Sequence, residues 1–177
     1  MTDPAETDRG RQQRHRATGQ LFSQVPALAQ AWAQGYRALR FDDVPFAPLR
    51  TPLPACRVAL VTTGGIHRHD QPPFNMGDSR GDASYRRISA DTPDAALTVT
   101  HDYYNHDDVR RDFNILFPRA LLRDLALQGR IGSLADCYSF MGHIEPPHRD
   151  TLIHQTAPEV AAQLRQEQVD AVLLTPA

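Results

Sequence analysis

Histidine, aspartate, threonine and glycine gather where apolar runs end. Thr62, Thr63, Gly64, Gly65, His67, His69 and Asp70 close or follow VALVTT, and His101, Asp102, His106, Asp107 and Asp108 close or follow ALTVTH. Gly142, His143 and Glu145 follow DCYSFM, and Thr175 closes VDAVLLT. An imidazole titrates near neutrality, so His143 suits a general acid or base, and a structural histidine at a strand end fits it equally. HDYYNHDD holds ligand types for zinc, iron or manganese, but such residues are also common in solvated loops. Its histidines, separated by four residues, lack the i, i+4 spacing that puts both on one helix face. TTGG is open between a loop that presents amides to an anion and a tight turn that needs glycine for its backbone angles.

Several chemistries are excluded by residue type. All 19 Lys and Arg positions are arginine, so a Schiff-base lysine and a P-loop lysine are impossible. Cys56 and Cys137, the 2 cysteines, form no CxxC pair, which rules out a disulfide framework and a thiolate zinc site. Cys137 reads as a core residue. No Ser–His–Asp order, dinucleotide fingerprint or phosphate-binding loop can be assembled.

The elements that must position these residues follow from periodicity. Residues 1–18 are a polar, Arg-rich leader expected to be disordered. Residues 19–39 carry apolar side chains at helical spacing, with Pro26 in the first turn, and residues 42–54 are a Pro-rich extended linker. The rest, 55–177, reads as one α/β domain. Its expected strands are Val58–Thr63, Tyr85–Ile88, Ala96–His101, Asp136–Met141 and Val169–Thr175, with loops over 66–84 and 102–114. One helix is expected from Pro118 to a stop at Gly129, and another opening on the capping-box spacing Thr156–Glu159. The expected fold is α/β: a mostly parallel, doubly wound (flavodoxin-like) sheet with an N-terminal helix, incomplete at the C-terminus. Parallel core strands would bring all the polar clusters to one edge, the default binding site of that architecture.

Composition sets the surroundings. Of 177 residues, 41% are hydrophobic and 23% charged, as in ordinary globular domains. A net charge of -2 gives no general attraction to nucleic acid or anionic membranes. No apolar stretch is long enough to span a bilayer and no signal peptide is visible, so the cytoplasm is expected.

VALVTTGGIH, QPPFNMGD, ALTVTHDYYNHDD, NILFP, IGSLADCYSFMGHI, TAPEVAAQL and VDAVLLTP, in that order, resemble the glycine/sarcosine/betaine reductase selenoprotein B family, which includes the D-proline reductase selenoprotein subunit. The resemblance runs from about Pro48 to Ala177. It implies an oxidoreductase subunit that reductively cleaves a C–N bond in a small amino acid or derivative. The implied partners are thioredoxin-like or carrier subunits, with no nucleic acid and no membrane. The family's nucleophile is a selenocysteine or cysteine directly after the strand matching VDAVLLTP, so it is expected just beyond Ala177, with no other cofactor and no metal. A selenolate stays ionised at neutral pH, which extends the thiolate logic of reactive cysteines. The codon after Ala177 is accordingly expected to be a UGA specifying selenocysteine. His67, His101, Asp102, His106 and His143 are the expected catalytic residues, for substrate orientation and proton transfer. Thr62, Thr63, Gly64, Gly65, Asp70 and Thr175 are expected to shape the substrate site. Two rival readings remain: a non-catalytic carboxylate-binding or assembly subunit, and a metal-dependent lyase or hydrolase using the His/Asp loops.

Overall fold

The computed structural model describes residues 13, 17, 21, 24–35, 42, 46–101, 104 and 106–177. The chain divides into two compact units, residues 1–48 with 102–105 and residues 49–101 with 106–177. In the first, α1 spans Pro26–Gly35 with proline at its first position, where a missing N–H costs nothing. The expected leader lies almost wholly outside the described residues, as do both flanks of the 19–39 helix.

The second unit is built around β1, Arg57–Thr62. Its side chains alternate between two apolar clusters, Val58 and Leu60 in one and Ala59 and Val61 in the other. A strand buried on both faces belongs at the centre of a sheet. Beyond it come β2 (Ile66–Arg68), β3 (Arg86–Ile88), β4 (Leu97–Val99), α2 (Asp107–Arg111), α3 (Arg119–Leu127), β5 (Ser133–Leu134) and β6 (Cys137–Ser139). A helical stretch follows as α4 (His148–Thr151), a π-helical turn (Leu152–Thr156) and α5 (Ala157–Gln166), and β7 (Ala171–Thr175) comes last. β7 pairs with β1 in parallel along one edge. β5 and β6 pair with the other edge in series, also in parallel. Ala59 and Leu60 face the longer run Ala135–Cys137 between the paired positions, a bulge that breaks one strand into two. β3 adds to β6 in the antiparallel sense, so the sheet is mixed.

The cluster of Val58, Leu60, Phe117, Leu122 and Ile131 packs α3 against one face. Ala59, Tyr138, Phe140, Val160 and Leu164 pack α5 against the other. Arg119 opens α3 fully buried; its guanidinium reaches Asp94 at 2.5 Å and the carbonyls of Ser89 and Ala90 at 3.1 and 3.2 Å. It thereby ties the β3–β4 connection to the helix.

Several expectations are corrected. The segment 66–84 is not all loop, and Ala96–His101 is not a strand of the main sheet. β2 and β4 instead form a separate antiparallel pair, because the Gly64–Gly65 turn folds Ile66–Arg68 back along Leu97–Val99. The segment 102–114 contains α2, with Asp107 and Asp108 in its first turn and Arg110 and Arg111 in its last, each sign suited to its end of the helix dipole. The last helical stretch opens at His148, not at Thr156. The Thr156 hydroxyl donates to Ala83 O at 2.8 Å instead of capping. Pro158 has no N–H for the carbonyl of His154, which accounts for the wide turn before it. No described helix is long and apolar enough to cross a membrane.

Candidate functional site

The end of β1 is fixed by its own polar atoms. Thr62 is fully buried; its hydroxyl donates to Leu116 O at 3.1 Å and accepts from Gly64 N at 3.1 Å. The Thr175 hydroxyl, from β7, donates to the same carbonyl at 2.7 Å. One acceptor thus joins the ends of two neighbouring strands, and both threonines act as structural clamps.

The amides of TTGG can be traced one by one. Thr63 N donates to Thr175 O (3.1 Å), Gly65 N to Phe140 O (2.9 Å) and Ile66 N to the Ser139 hydroxyl (2.8 Å). With Gly64 N on Thr62, the turn directs its amides into the protein and offers none as an anion cradle. Gly65 sits at φ +66°, and a Cβ there would lie 2.5 Å from Thr100 O. The glycine serves backbone geometry and close approach.

Beyond that turn the cluster opens. The Thr63 hydroxyl accepts from Ala177 N at 3.0 Å, which brings the segment after β7 to the end of β1. A Cβ on Gly142 would lie 3.3 Å from Thr63 O and 3.4 Å from both Thr63 Oγ1 and His101 Nε2. Gly142 N donates to His101 Nε2 at 3.3 Å. Residues from the ends of β1, β4, β6 and β7 therefore meet at one place. His101 reaches it although its strand lies outside the main sheet, because Thr100 N is bonded to Gly65 O at the turn (2.9 Å).

His101 is buried, and its pKa falls from 6.5 to about 4, first through desolvation and then through the nearby His106 and His143 imidazoles. It is neutral at pH 7, and with Nε2 accepting, the assigned tautomer carries the proton on Nδ1. Buried His106 precedes α2. Half-exposed His143 donates from Nε2 to Ser79 O at 3.1 Å, with Glu145 Oε1 3.8 Å from that nitrogen.

A second loop backs this edge, and Ser79 and Arg80 in it, with His148 against it, were not among the expected site residues. Asp78 binds Arg80 (2.8 Å) and His148 (2.8 Å), which hold its carboxyl well below the usual range. Glu145 N donates to Arg80 O at 2.7 Å. Gly81, at φ +92°, lies so close that a Cβ would overlap the His143 carbonyl. The local signals were the motif QPPFNMGD, which ends on Asp78, and the bracketing of Asp78, Ser79 and Arg80 by Gly77 and Gly81.

Other expected residues fall elsewhere. His67 is buried, donating from Nδ1 to Arg68 O and accepting at Nε2 from the Thr100 hydroxyl, each at 2.8 Å. Burial above all lowers its pKa, and both ring nitrogens serve the β2–β4 pair. Asp70 is exposed and closed by a bidentate Arg68 at 2.7 and 2.6 Å. Asp102 lies outside the described residues. Cys56 and Cys137 are fully buried, and burial pushes the Cys137 thiol up to about 12, as suits a core residue rather than a nucleophile. Among the described residues, no three His, Cys, Asp or Glu side chains group to hold a metal ion.

Comparison with known families now adds to the geometry. Residues 11–177 match the glycine/sarcosine/betaine reductase selenoprotein B family. The chain belongs to that family. D-proline reductase subunit gamma of Acetoanaerobium sticklandii is 38% identical over 131 residues, covering 73% of this chain and 52% of that subunit. The sarcosine reductase complex component B subunit beta of Peptoclostridium acidaminophilum is 34% identical over 107 residues, 55% of this chain and 23% of the relative. The glycine reductase complex component B subunit gamma of Carboxydothermus hydrogenoformans is 30% identical over 142 residues, 76% of this chain and 31% of the relative. This selenoprotein B family member therefore spans about half of the first relative and less of the others. No solved structure matches it.

Proposed function

We propose that this chain forms part of an oxidoreductase subunit of the glycine, sarcosine, betaine or D-proline reductase type, acting in reductive C–N cleavage of a small amino acid or derivative. The observation that carries the reading is the meeting of Thr63, His101, Gly142 and the backbone of Ala177 at one strand edge. A selenocysteine or cysteine directly after Ala177 would stand beside that cluster. Reductive cleavage of the C–N bond takes two electrons and two protons: one completes the new C–H bond on carbon and the other goes to the amine nitrogen. Half-exposed His143, held by Ser79 O, is the residue placed to pass that proton. Neutral His101 acts as a positioning residue, fixing the Gly142 amide and the turn that carries His143. The electrons come from thioredoxin-like or carrier subunits. The reading of a small-carboxylate cradle at TTGG is not favoured, since its amides are bonded internally.

The test is to express the gene through the codon after Ala177 in a selenocysteine-inserting host together with its accompanying reductase subunits and, with thiol reductant, to assay ammonia or amine release from glycine, sarcosine and betaine and the ring-opened amino acid from D-proline. Turnover of one substrate is expected, with His143→Asn lowering kcat by about 100-fold. No turnover of any of the four, or full activity in the His143→Asn protein, would overturn the reading.

A further inference from the structure

β7 has the composition of an interior strand and the position of an edge one. Leu173 shares a sheet face with its partner Leu60, while Val172 and Leu174 share the other face with Ala59 and Val61. The β1 residues are buried or half-buried, yet Val172, Leu173 and Leu174 are 40%, 42% and 70% exposed. Thr175 O accepts from Thr63 N, so Thr175, Leu173 and Ala171 direct their backbone groups to β1. By strand alternation, Val172 and Leu174 direct theirs away from it. No described strand pairs with that outer edge.

Both an unfilled hydrogen-bond row and apolar side chains on both faces have to be covered. A second copy of the chain pairing edge to edge would satisfy only the first need. It would place two uncovered β7 faces side by side, widening the apolar strip. What fits is a partner bringing a strand for the edge and apolar helix faces above and below it. The D-proline reductase subunit gamma supplies a source, because this chain matches only 52% of it.

We infer that the outer edge and both faces of β7 are the docking surface for the remaining portion of a selenoprotein B family polypeptide, which continues the sheet past β7. The inference concerns how the family's fold is completed and stands apart from the reductase chemistry. To test it, the full 177-residue chain is co-produced with the part of the Acetoanaerobium sticklandii subunit gamma that lies outside its matched residues. A one-to-one complex is expected, with amide exchange at Val172 and Leu174 slowed about 100-fold relative to the chain alone and Leu173 little changed. Leu174→Lys, at a position exposed enough to keep the fold, should weaken the complex about 10-fold while leaving Leu173 protected. Failure to form the complex while Leu173 stays protected would overturn the inference, as would undiminished binding by Leu174→Lys. Slow exchange at Val172 and Leu174 in the chain alone, with a doubled mass, would assign the edge to a second copy and overturn it equally.

Discussion

His101 stays neutral in the folded chain down to about pH 4, whereas an unfolded chain takes that proton near pH 6.5. Between those values the unfolded state binds more protons than the folded one, so acidification favours unfolding. The stabilising contribution is complete above pH 6.5 and is lost as pH falls toward 4. His67, pushed down mainly by burial, adds to the same slope. Urea unfolding at pH 7 and pH 5 should therefore show stability lost on acidification, and the His101→Gln protein should lose about 2 kcal/mol less over that interval. Equal losses in the two proteins would mean that His101 is solvated or charged in the fold.

At the scale of elements, the edge depends on two loops clamped face to face. Gly81 is the closest contact between them, and Asp78–His148 and Ser79–His143 bonds flank it. Alanine at 81 would need both a positive φ and the space of the His143 carbonyl, so the loops must separate. Gly81→Ala should cost about 2 kcal/mol in urea unfolding and shift the imidazole resonances of His143 and His148. Unmoved resonances would show that the clamp does not position His143.

Across the second unit, β1 and the β5–β6 pair carry the apolar clusters on both faces of one sheet. Neither face can open without exposing the back of the other, so the layers should unfold together. Leu60→Ala on the α3 side and Leu164→Ala on the α5 side should each cost about 3 kcal/mol and lower the same single transition. Far-UV and near-UV dichroism would report it. Two transitions, each moved by one substitution only, would show that the layers fold independently.

The sequence alone determined the elements whose signals are local. The apolar run at 58–62, the Pro118–Gly129 helix and the 171–175 strand read directly from period and punctuation, and the ordered motifs placed the chain in its family. The burial of Cys137 was also legible, from its place in an expected strand. Only the tertiary structure decided which strand pairs with which, because pairing depends on residues far apart in the chain. The Gly64–Gly65 reversal moved ALTVTH out of the main sheet, yet the Thr100–Gly65 bond returned His101 to its edge. It also divided the polar residues by their partners. Thr62, Thr175 and His67 are bonded into the scaffold, while Thr63, His101, Gly142 and Ala177 meet at one strand edge. Residue type gives a side chain its chemistry, but burial and partners decide whether that chemistry is used for folding or left for a substrate.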